Sequence, residues 1–217
     1  MPLRPHERIR TRLTKKSGAV DLERLQSDVE WALARGLGPR DLVPMLERLR
    51  QHAPRGSAAA CFAATELAGV LLRTSPWRAA VLAREVLRHE DTDRAWAVLG
   101  LALTVLGHYR SAKRAFSKAL AHSPQCSSYA HNLGHLLDVA LGRPLDALPW
   151  LSKAHAARPG DEEIAASYAH ALVGVGRTDD ARRVLEAALG TYKHAAAAII
   201  GRWATEDRNE DGEDGET

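Results

Sequence analysis

His131 and His135 stand four residues apart, and Asp138 follows three further on. On an α-helix those offsets share one face, so two imidazoles and a carboxylate project together. Three kinds of chemistry use such a set. It can line a polar groove that touches solvent. It can offer hydrogen bonds to a partner's peptide backbone. Or it can ligate zinc, at Zn–N distances of about 2.0–2.1 Å. A hydrolytic zinc helix carries a Glu directly after its first His. Here that position is Asn132, so a bound metal would not bring catalysis with it.

Other catalytic signatures are missing. The chain has neither a G-x-x-x-x-G-K-[ST] phosphate loop nor a G-x-S-x-G elbow. Gly174-Val175-Gly176-Arg177 lacks a third Gly and follows a helical pattern rather than a strand. The expectation is a non-enzyme with no catalytic residue and no cofactor.

The elements that must position these side chains follow from composition. The 217 residues are 45% hydrophobic and 26% charged, enough for one or two domains with a core. No run approaches the roughly 20 apolar residues of a membrane span. The charged start, MPLRPHERIRTRLTKK, does not read as a secretory signal. Cys61 and Cys126 lie far apart, which argues against a disulfide framework and a Cys-based zinc site. A reduced, cytoplasmic compartment is expected, and the Ala/Arg/Leu bias suits a high-GC bacterial gene.

The net charge of +3 is too small to imply nucleic acid by itself. Its distribution says more. Residues 1–16 hold six basic side chains against Glu7 alone, and the segment from Glu206 holds seven acids against Arg208. A flexible basic arm (1–20) and a disordered acidic tail (206–217) are expected. The arm has no aromatic residue on which bases could stack. Any nucleic-acid contact there would be phosphate-driven and salt-sensitive.

Ala and Leu dominate while β-branched and aromatic residues are few, which favours helix. Asp21 is placed to cap a helix running to about Ala34, with Leu22, Leu25, Val29 and Leu33 on one face. Asp41 is expected to open a second helix, with Pro44 in its first turn. Ser57 opens a third to about Arg73, and Ser75-Pro76 a fourth. The tryptophans Trp31, Trp77, Trp96, Trp150 and Trp203 all fall in helical segments, where core packing is the default expectation.

From residue 93 a repeat sets in. Leu99-Gly100 recurs as Leu133-Gly134, and Gly107 as Gly142 and Gly176. Ala112, Phe116, Ala119 and Pro124 recur as Ala147, Leu151, Ala154 and Pro159, and Ala181, Leu185 and Ala188 repeat the first three. The second unit carries one inserted residue near its turn. Each unit is helix, Gly-containing turn, helix, stop, and buries its apolar face only by stacking on a neighbour.

This pattern resembles the tetratricopeptide repeat family. Trp96, Leu99, Gly100, Gly107, Tyr109, Ala112, Phe116, Ala119 and Pro124 fall at the family's signature positions. The resemblance implies an all-α fold, a right-handed α-solenoid of stacked helix-turn-helix repeats. Residues 21–91 would be degenerate repeat-like pairs, 93–190 three repeats, and 191–205 a C-terminal capping helix with Ile199, Ile200 and Trp203 as contacts. The first helix of each unit would line a concave groove. That register adds Asn132 to the second unit's set, places His170 and Glu163 on the third unit, and Arg94 on the first. His131, Asn132, His135, Asp138, His170, Arg94 and Glu163 are therefore the candidate partner-binding residues. His131, His135, Asp138 and His170 are also the candidates for a metal, though none is assigned. Family members that clamp a carboxylate use a Lys/Asn/Asn/Lys/Arg set. Only Asn132 matches, the other positions being Ala97, Leu101, Glu163 and Ser167. The expected function is a non-catalytic adaptor for another protein or peptide segment. A chaperone-like holder of a secretion or assembly client is one alternative, and a metal-binding or nucleic-acid accessory protein another.

Overall fold

The structure, a computed structural model, describes residues 20–203, all helix and connecting turn with no strand among them. The expected basic arm, apart from Val20, and the acidic tail lie outside the described residues. The chain forms two compact units that divide between Gly107 and His108.

The first unit holds α1 (Leu22–Ala34), α2 (Pro39–His52), α3 (Ala58–Leu71), α4 (Pro76–Val86) and α5 (Asp93–Val105). Each packs on the next, and α3 also meets α5. Asp21 caps α1 as expected, its carboxylate accepting from the Arg24 N–H at 3.1 Å. Leu25 and Val29 are buried with Ala32, while Leu22 and Leu33 are half-buried. The second helix begins at Pro39, behind Gly38, and not at Asp41. Proline's fixed φ suits a first helical position and its missing N–H costs nothing there, so Pro39 outbids the acid as a start signal. Pro44 then lies inside α2.

The second unit holds α6 (Tyr109–His122), α7 (Ser127–His135), α8 (Pro144–Ala157), α9 (Glu162–Gly174) and α10 (Thr178–Leu189). A 3₁₀ segment, Gly190–Ala195, leads into α11, residues 196–203. The terminal helix thus starts later than the position of Thr191 suggested. Its Ala196 and Ile200 join Ala169, Leu172, Val173, Ala181 and Leu185 in one buried cluster, with Ile199 and Trp203 packed against it.

Two glycine roles follow from the repeat. Gly107, Gly142 and Gly176 end their units' first helices at φ of 74°, 58° and 77°, the left-handed region that costs other residues energy. Gly134 serves close approach instead: a Cβ there would sit 2.5 Å from Leu151 Cγ on α8.

The inserted residue of the second unit has a structural counterpart. Leu136–Ala140 form a single π turn continuing α7, with the Leu141 N–H bonding back five residues to the Leu136 carbonyl at 3.1 Å. A one-residue insertion into a helix is absorbed in this way without breaking the flanking turns.

The tryptophans meet the expectation of core packing unevenly, Trp203 alone among them being packed against the cluster just described. None is fully buried, and Trp31 and Trp77 are exposed. Helical placement alone does not say which face a residue occupies.

Candidate functional site

The site is built from α7, the π turn and α9, which pack side by side within the second unit. α7 supplies His131, Asn132 and His135, the π turn supplies Asp138, and α9 supplies Glu163, Ser167 and His170. Asp161 caps α9 by accepting the Ile164 N–H at 3.1 Å, which fixes the start of that helix and so the register of its inward face.

Two linked pairs emerge. His131 Nε2 lies 2.9 Å from Ser167 Oγ, and His135 Nδ1 lies 3.4 Å from the same oxygen. A hydroxyl can donate to one imidazole nitrogen and accept from the other, so Ser167 bridges the two rings. Their centroids are 6.0 Å apart. One turn further along, His170 Nδ1 lies 2.7 Å from Asp138 Oδ2. The Asp138 side chain is 3% exposed and that of His170 31%. His170 also meets Trp203 edge-on, with ring centroids 5.3 Å apart.

His131 is buried, and that burial holds its pKa below the ordinary imidazole value. Glu163 and Asp161 pull the other way, while His135 and Arg158 add to the lowering. The face therefore carries a neutral hydrogen-bonding centre at His131. Asn132 is half-buried beside it, and His135 and Glu163 are exposed. Arg158 closes one edge, donating to Ser128 Oγ at 3.3 Å and pairing with Asp161 at 3.1 Å.

The four metal candidates do not converge. Among the described residues no three His, Cys, Asp or Glu side chains are placed to share an ion. The Ser167 hydroxyl occupies the space between His131 and His135, and Asp138 is committed to His170. A Ser-His-Asp relay also fails to form, because it needs the acid on the second nitrogen of the histidine that faces the serine.

Ser167 was not singled out by the sequence, although its inward register was legible. Its importance depends on the crossing of α7 and α9, which brings residues 36 apart into contact. Arg94 lies in the first unit, where it pairs with Glu66 on α3 at 2.5 Å. The Arg94 side chain is 61% exposed and that of Glu66 9%. Burial pushes the Glu66 carboxyl up and the Arg94 charge opposes this. Nothing in the sequence marked Glu66, whose helix reads as uniformly apolar around it. No described helix is long and apolar enough to cross a membrane.

Comparison with known proteins gives three findings. A family model described as tetratricopeptide repeat matches residues 138–200. Protein FlbA of Caulobacter vibrioides is 35% identical over 109 residues, which is 50% of this chain and 18% of that protein. This chain therefore spans less than a fifth of that relative's length. Crystal structures of MamA superimpose well. One, at 18% identity, has a TM-score of 0.62 and covers 78% of this chain and 96% of its own. Another, labelled MSR-1, is 21% identical with a TM-score of 0.58, covering 83% and 97%. At these identities the likeness is one of fold.

Proposed function

We propose, on the premise that this chain is a tetratricopeptide-repeat protein, that it is a non-catalytic adaptor holding a segment of another protein across the α7–α9 face. The observation that supports this reading is the bridged histidine pair. His131, Ser167 and His135 form a hydrogen-bonded ridge with its buried end neutral and its outer end, His135, open to solvent. Such a ridge offers donors and acceptors at fixed positions without the desolvation cost of a buried charge. An extended peptide backbone presents the matching groups. Asn132 and Glu163 flank the ridge and extend the contact surface. Arg94, in the other unit, is assigned to holding Glu66.

The test compares wild type with an Asn132→Ala/His135→Ala variant. Both side chains are at least partly exposed, so the fold should survive the change. Affinity purification from the native host, quantified by mass spectrometry, should show a protein recovered with wild type and lost with the variant. A titration with the purified partner should then show weakening of about tenfold or more, as for contacts near an interface centre. Equal recovery of every protein with both baits would sink the assignment of this face.

A further inference from the structure

We propose that the outer face of α4 is a second docking surface, and that its partner is an acidic protein segment carrying apolar anchor residues. Trp77 and Val81 are 63% and 52% exposed. They are one turn apart, and Arg84 follows three residues later on the same stripe. Arg88, in the turn after the helix, continues it, and Arg73 stands in the turn before it. All three arginines are exposed. The opposite side of α4 is fully used, with Ala79, Ala80, Leu82, Ala83 and Val86 buried. The helix is therefore amphipathic in an unusual sense: its solvent side carries a tryptophan and a valine where charged residues would cost less.

The charge around that pair is one-sided. The acid of α4, Glu85, is taken by Arg50 of α2 at 3.4 Å. Arg78 is taken by Glu47 at 2.5 Å. These two bridges hold α4 to α2, while Arg73, Arg84 and Arg88 stand exposed on the helix that carries Trp77 and Val81 and in the turns at its two ends. An acidic segment complements them, and long-range attraction between opposite charges would speed its arrival. Trp and Arg are also the residue types that dominate binding energy at protein interfaces. An anionic membrane surface carries the same sign of charge, but two apolar side chains on an 11-residue helix offer little to bury in lipid. The protein segment is the better fit.

The experiment uses the full chain and a fluorescent peptide of glutamates with leucine at every fourth position. Its counterpart replaces each glutamate with lysine. Polarisation should show binding of the acidic peptide only, weakening as salt rises. Trp77→Ala should weaken it about tenfold or more, and Arg84→Ala or Arg88→Ala by a few-fold each with a shallower salt dependence. His135→Ala should leave this binding unchanged, which separates the surface from the α7–α9 face. Because Trp77 is exposed, its replacement should not shift the melting temperature. Equal binding of both peptides, or of the acidic peptide by the Trp77→Ala variant, would overturn the proposal. So would binding of phosphatidylserine vesicles through Trp77 without peptide binding. A sedimentation change with Trp77→Ala and no peptide binding would instead give the patch to self-association, which also overturns it.

Discussion

His170 Nδ1 meets Asp138 Oδ2 at 2.7 Å, joining the π turn of one repeat to the first helix of the next. The carboxylate is buried and the imidazole is not, so the two partners are unequal. Removing His170 strands a buried acceptor, whereas removing Asp138 leaves a ring that water can reach. His170→Ala is expected to cost about 1–3 kcal/mol. His170→Asn, which keeps a donor, should recover part of this. Trp203→Leu removes the ring contact and keeps an apolar side chain against the buried cluster, so it should cost less. Urea denaturation of the three variants checks the order, and His170→Ala within error of wild type would refute it.

Gly134 is fixed by Leu151, which is fully buried on α8. A methyl group at Gly134 would overlap that leucine at 2.5 Å. Gly134→Ala should therefore destabilise by about 1–3 kcal/mol, the usual cost of overpacking, despite alanine's better helix propensity. Gly134→Ala combined with Leu151→Ala should cost less than the sum of the two single changes, because the added methyl enters the space the leucine vacates. Additive melting shifts would show that the two helices part instead.

Cys126 stands at the N-cap of α7 with φ −70° and ψ 106°, and caps nothing with its side chain. At the matching position of the next repeat, Asp161 has φ −85° and ψ 110° and accepts a backbone N–H. The backbone is already set for a cap that the thiol fills poorly. Cys126→Asp should raise stability by about 0.5–2 kcal/mol, with Cys126→Ser close behind. The check is the denaturation midpoint, and a fall in both variants would mean that the thiol is packed rather than idle.

The first helices of the repeats were legible because their signals are local. Asp21 and Ser57 stand where a cap is wanted, and Gly142 and Gly176 mark turns through their positive φ. Even the inserted residue was visible as a one-residue stretch between Gly134 and Gly142, although only the structure shows it taken up as a π turn that carries Asp138. What stayed hidden depends on contacts between helices. The Ser167 bridge needs the crossing of α7 and α9, and the burial of Glu66 needs α5 beside α3. Trp77 falls in a helical segment, where core packing is the default expectation, but its own position faces out. Periodicity fixes which residues share a face and leaves open what that face meets.

The depressed pKa of His131 makes the α7–α9 face sensitive to acid. Its folded value lies below the ordinary imidazole value because burial disfavours the charged ring. The unfolded chain therefore takes up the proton first as pH falls. The stability His131 contributes is fully present above about pH 6.5 and is lost as pH drops through the folded value, by at most about 1.4 kcal/mol per pH unit. His131→Gln keeps a hydrogen-bonding group opposite Ser167 but cannot titrate. Wild type should lose more stability than this variant between pH 7.5 and pH 5.5, measured by urea denaturation in matched buffers. Glu163→Gln, which removes an opposing influence on the ring, should lower the folded pKa further and deepen the acid loss in the wild-type background. Parallel pH profiles for wild type and His131→Gln would place the imidazole in water and remove the neutral centre on which the binding face is argued.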